Sequence, residues 1–231
     1  MAATVQDRLA TLSHGWERSG DRRAIFAQCY LIMTARVREA IAAGEFVDGV
    51  WVTRLLDRFA DYYFDAIDAH AIPDAPVPCP PVWVRAFDAC TDPGCHPLRA
   101  LLLGINAHIN HDLALAIVDV LQDWADLDDV ARETRRADHE HVNTIIEATT
   151  DEVQRDVVAR WAPGTAILDL VLGPLDEWVF GVAVESFRGN VWVDAMTVMA
   201  LPTDGRGPTL IAIGRRADEV ADVLTFGRGR S

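Results

Sequence analysis

Lysine is absent from the 231-residue chain, so all 21 of its basic residues are arginine. That removes the Schiff-base nucleophile, the pyridoxal-phosphate anchor and the Walker-type phosphate loop. Basic residues are also outnumbered: 35 acidic side chains leave a formal net charge of −14. A nucleic-acid-binding domain shows the reverse, a basic face, and an anionic membrane surface repels such a chain as well, so neither is expected as a partner. Cysteine is sparse. Its four copies, at 29, 79, 90 and 95, form no C-x-x-C pair, which argues against a disulfide framework and for a reduced, cytoplasmic protein. Cys79, Cys90, Cys95 and His96 match no common zinc spacing. Residues 1–15 lack the apolar core of a signal peptide, and the longest apolar stretches are broken by Asn, His, Asp, Arg or Glu, so no membrane span is expected.

What is present is helical periodicity. Ile25, Phe26, Cys29, Met33, Val37, Ala40 and Ile41 recur at helical spacing between Asp21, a capping residue, and Gly44, a glycine placed to end the helix. After a second cap at Asp48, Trp51, Leu55, Phe59, Tyr62, Tyr63 and Ile67 mark another apolar face. Residues 72–81 are a proline-rich connector that cannot be helix, and Pro97 suits the first position of the helix that follows. Further helices are predicted over 82–90, 126–148, 150–161 (capped by Thr149 or Thr150), 165–201 with a kink at Gly173–Pro174, and 210–226. The expected fold is all-α: one domain over 1–231, with seven to nine helices around a central helix at 98–124 and frayed ends near 1–5 and 227–231.

That central segment, LRALLLGINAHINHDLALAIVDVLQDW, is the informative one. Its first two-thirds are apolar nearly all round, which places it in a core. Yet Asn106, His108, Asn110, His111 and Asp112 crowd its centre. Buried polar groups need partners, and a buried charge needs more than one. His108, His111 and Asp112 stand at i, i+3 and i+4 and share a stripe with Leu101, Ile105 and Leu115; Asn106 and Asn110 form a neighbouring i, i+4 pair.

A second cluster is Asp138-His139-Glu140-His141, followed by Asn143, with Asp138 and His141 on one face. Two readings of these clusters stand side by side. One is a carboxylate–imidazole site, in which His108 is a general base oriented by Asp112. The same site with a divalent Zn or Fe ion would draw ligands from His108, Asp112, Asp138 and His141. The other reading is a hydrogen-bond network that fixes helix register.

The run from Leu103 to Leu113 (LGINAHINHDL) resembles the signature block of the bacterial family DUF5995. The segments Phe59–Phe64, Pro81/Trp83/Ala86-Phe87 and Asp138 with Val142-Asn143 are similar to its other blocks, so the likeness extends from about 26 to 201. The resemblance implies an all-helical fold and carries no assigned activity; position 111 is variable in that signature. Asp61 lies in a family-like block and joins the candidate catalytic set His108, Asp112 and Asp138. Asp65 and Asp68, which extend the Asp61 stripe, read as a solvated helix edge.

Asn106, Asn110, Tyr62, Trp83 and Asn143 are the candidate substrate contacts. Trp124, Trp178 and Trp192 read as core, and Arg135, Arg136 and Arg188 as compensation for acidic neighbours. The expected function is acid/base-driven intramolecular substitution, cyclisation or elimination of a small molecule, with natural-product tailoring as its setting and a homodimer or partner enzyme as its company. A metal-dependent hydrolase and a non-catalytic ligand-binding or docking bundle are the alternatives.

Overall fold

The computed structural model describes residues 4–163 and 177–225, without the side chains of 177–185. Among these, the fold is all-α, with eight helices and no strand. They are α1 (Val5–Ser19), α2 (Arg23–Ala43), α3 (Gly49–Ala71), α4 (Pro81–Thr91), α5 (Pro97–Val120), α6 (Asp129–Val153), α7 (Glu177–Met199) and α8 (Gly207–Thr225). The expected kink at Gly173–Pro174 and the tail at 227–231 lie outside the described residues, as does the side chain of Trp178. The chain groups into two compact units, Met1–Asp57 with Val120–Ser186 and Arg58–Asp119 with Phe187–Ser231.

Caps set most helix boundaries. Thr4 accepts from the amide of Asp7, whose carboxylate accepts the Thr4 amide in return, a reciprocal pair that starts α1 at Val5. Gly44 ends α2 with φ +75, a left-handed conformation that glycine adopts without a Cβ penalty. Asp48 caps α3 through the amide of Trp51. Pro97 opens α5, and the ring of His96 accepts from the amide of Leu98. One expected boundary is absent. The helix does not restart at Thr149–Thr150; both hydroxyls donate back to the carbonyls of Ile145 and Ile146, which keeps the backbone ladder intact. α6 therefore runs on to Val153 and continues through a π-helical turn at Gln154–Val158 into Ala159–Trp161.

In the unit built on Met1–Asp57, α1 packs on α2 and α2 on α6, around Leu9, Ile25, Phe26 and Val157. Here Asp138 has a definite task. Its two carboxylate oxygens accept the amides of Val47 (3.0 Å) and Asp48 (2.7 Å), just ahead of α3. These are among the donors that a helix start leaves unsatisfied, and a carboxylate there also complements the helix dipole. Arg135, one turn earlier on α6, grips Asp123 with both terminal nitrogens (2.7 and 2.8 Å) and reaches Asp48 with Nε.

In the unit built on Arg58–Asp119, α4 and α8 pack against α5 and against each other. α5 is the core helix. Leu98, Leu101, Leu103, Leu113 and Ile117 are all fully buried. By length and hydropathy alone it would suit a membrane span, but 67% of its apolar window is covered by protein. Asp138→Ala tests the cap on α3: two amides lose their acceptor, and a fall in unfolding free energy of roughly 1–3 kcal/mol is expected, measured by denaturant titration.

Candidate functional site

The polar centre of α5 is where the helix changes pitch. Ala107–Asp112 is a π-helical turn inside an otherwise α-helical rod. Such single turns are uncommon and recur at functional sites. The change matters because neighbouring residues of an α-helix point too far apart for their side chains to meet. In this turn the Nδ1 of His111 reaches Oδ1 of adjacent Asp112 at 2.8 Å. His108, a turn earlier, places its Nδ1 3.1 Å from Oδ2 of the same carboxylate. The indole N–H of Trp83, on α4, donates to Oδ2 at 2.9 Å.

Asp112 is thus the meeting point of two imidazoles and an indole. Burial opposes its ionisation, but the hydrogen bonds from His108 and His111 outweigh it and hold its pKa below the ordinary aspartate value. An ionised carboxylate only accepts, so both rings carry their proton on Nδ1 and their basic lone pair on Nε2. His108 is enclosed by aromatic rings. Phe59 stacks on it at 3.5 Å between centroids with planes 9° apart, and Tyr63 and Trp83 lie at 5.9 and 6.1 Å. Desolvation in that box lowers the pKa of His108 against the opposing pull of Asp112, so the ring is neutral at physiological pH. The side chains of His108 and Asp112 are only 4% and 1% exposed, whereas that of His111 is 15% exposed.

The other predicted contacts serve elsewhere. Asn106 donates to the carbonyl of Ala217 on α8 and accepts from Asn110, so this pair ties α5 to α8. Tyr62 donates to Asp119, which also accepts from Arg58 stacked over the Tyr62 ring. Burial, then the hydrogen bond to Asp119, push the Tyr62 phenol well above its ordinary range, so it stays protonated at neutral pH. Asp61 is exposed beside Arg58, at 3.9 Å. Asn143 and His141 belong to α6 in the other unit, where His141 lies 3.4 Å from Glu45 and edge-on to Phe46.

Among the described residues, no group of three or more His, Cys, Asp or Glu side chains is gathered where it could hold a metal ion. Of the expected four-ligand set, His108 and Asp112 belong to one unit and Asp138 and His141 to the other, where Asp138 is occupied by backbone amides and His141 by Glu45. The zinc set of Cys79, Cys90, Cys95 and His96 is not formed. Burial and the charges of Asp112 and Asp88 raise the Cys79 thiol to about 11, so it stays protonated. Phe59 and Tyr63 were expected on an apolar face rather than against His108, and Asp112 was expected to orient His108 without also meeting Nδ1 of His111. Phe59 and Tyr63 stand at i and i+4 on α3, which was the available signal.

The carboxylate shared by two imidazoles thus lies on the core helix of one unit of an all-α chain. The chain belongs to DUF5995, a family of unknown function, whose model matches residues 2–226. It matches no curated protein and no solved structure.

The pKa directions set a pH dependence. Folded His108 binds its proton less readily than an unfolded histidine, whose ordinary value is 6.5. Its contribution to stability is full above that value and is lost as pH falls from there toward the lower folded value. Asp112 adds a second loss only below the ordinary aspartate value of 3.8. The thermal midpoint should therefore decline on acidification from pH about 7 to about 5. His108→Gln should decline less over the same interval; parallel curves for the two proteins would contradict the assignment.

Proposed function

We propose that this protein is an enzyme acting on a small organic molecule by proton abstraction at the imidazole–carboxylate cluster of His108, Asp112 and His111. One observation carries the reading: a buried carboxylate meets Nδ1 of two imidazoles, which leaves Nε2 as the basic nitrogen of a neutral ring and so poises the cluster for acid/base chemistry. The same division of labour, with an aspartate orienting and a histidine accepting the proton, underlies nucleophilic triads.

The chemistry that follows is intramolecular substitution, cyclisation or elimination. An imidazole Nε2 takes a proton from an O–H, N–H or C–H of the substrate. The electron pair left behind forms the new bond while the leaving group departs with its own pair. The imidazolium returns its proton to the leaving group or to water. Asp112 stabilises the transient imidazolium, and the aromatic walls of Phe59, Tyr63 and Trp83 strengthen that interaction by excluding water.

Asp112→Asn keeps the shape but turns an NH2 donor toward one of the groups now donating to the carboxylate, which disrupts the tautomer. Incubated with a mixed small-molecule extract and followed by mass spectrometry, the wild-type protein should deplete a compound that Asp112→Asn depletes roughly 10⁴-fold more slowly. Identical profiles from the two proteins, both folded by circular dichroism, would remove the catalytic reading and leave a hydrogen-bond network.

A further inference from the structure

Within the site proposed above, the two imidazoles differ in what surrounds their Nε2 edges. The His108 ring lies flat on Phe59 and is 4% exposed. The His111 ring is 15% exposed, and among the described residues its only hydrogen bond is the one from Nδ1 to Asp112. Its outer edge faces Gly214, in the middle of α8.

That glycine lacks the usual reasons to be there. Its backbone is not in the left-handed region. A Cβ at 214 would meet Cδ2 of His111 at 3.6 Å and Nε2 at 3.9 Å, which is ordinary van der Waals contact. Alanine would fit, and inside a helix alanine is the more stabilising residue. What a methyl group there would do is sit on the Cδ2–Nε2 edge of the ring. Glycine at 214 leaves the methyl-sized space beside that edge unfilled at the expense of helix stability, a local trade typical of functional positions.

We propose that His111 is the imidazole that meets the ligand and that Gly214 is the residue that leaves room for it. With Nδ1 of His111 donating to Asp112, Nε2 of a neutral ring is an acceptor. The ligand therefore presents a hydrogen-bond donor, an O–H or N–H, and this is the group that surrenders its proton. His108 and Trp83, on the far oxygen of Asp112, are positioning residues. The inference rests on the acid/base reading of the cluster and deepens it.

The test uses diethyl pyrocarbonate, a small electrophile that acylates imidazole nitrogen, with the labelled histidines read by peptide mass spectrometry. In the wild-type protein His111 should label at least tenfold faster than His108. Gly214→Leu should slow labelling of His111 by a similar factor and leave the labelling of His14 and His70 unchanged. Gly214→Ala, which needs no repacking, should raise the thermal midpoint by roughly 1–4 °C and slow labelling of His111 measurably. Equal labelling of His108 and His111, or labelling of His111 indifferent to both substitutions at 214, would overturn the proposal. These outcomes are separate from the turnover comparison. Asp112→Asn losing turnover while the 214 variants change nothing leaves an acid/base site with another entrance. The 214 variants behaving as expected while Asp112→Asn changes no small molecule leaves an open His111 edge without catalysis.

Discussion

A carboxylate that is 1% exposed must be compensated by its immediate neighbours, and the site is built around meeting that demand for Asp112. Its three donors come from two helices: Trp83 from α4, and His108 and His111 from the π turn of α5. Removing any one would leave part of a buried charge unanswered, so the indole, the imidazoles and the helix pitch are mutually required. The π turn is the enabling feature, because it lets a residue and its next neighbour meet side by side. The aromatic residues around His108 then set its chemistry. They hold it neutral, and the carboxylate sets which nitrogen bears the proton.

Asp138 makes an instructive contrast. It is nearly as buried as Asp112 and stands in a sequence cluster that looks at least as reactive. Yet its charge is met by two backbone amides at the start of α3, and its role is to hold that helix start. Two of the three partners of Asp112 are titratable imidazoles, which can accept and return protons; backbone amides cannot. The nature of the partners, more than burial, separates a candidate site from a structural cap.

Much of the fold was legible. The apolar stripes, the left-handed Gly44, the caps at Asp48 and Pro97 and the proline-rich connector are local features whose chemistry acts over a few residues. So was the pairing of His108 with Asp112, which follows from their i, i+4 spacing. What spacing could not show is the change of pitch at Ala107–Asp112, since no residue there announces a π turn. Nor could it show that the Trp83 indole, 29 residues away, donates to Asp112, or that Asp138 accepts from amides about 90 residues earlier. Those contacts depend on how helices pack. Thr149 and Thr150 misled for a related reason: a threonine hydroxyl can cap a new helix or bond back to the preceding turn, and the packing of α6 selects the second.

The most direct measurement is nitrogen-15 NMR of the His108 and His111 rings at neutral pH, which reports the protonation of each ring nitrogen. An ionised Asp112 accepting from both rings requires a proton on Nδ1 of each. A bare Nδ1 in either ring would mean that the carboxylate is not the shared acceptor, and the account of this site would fail with it.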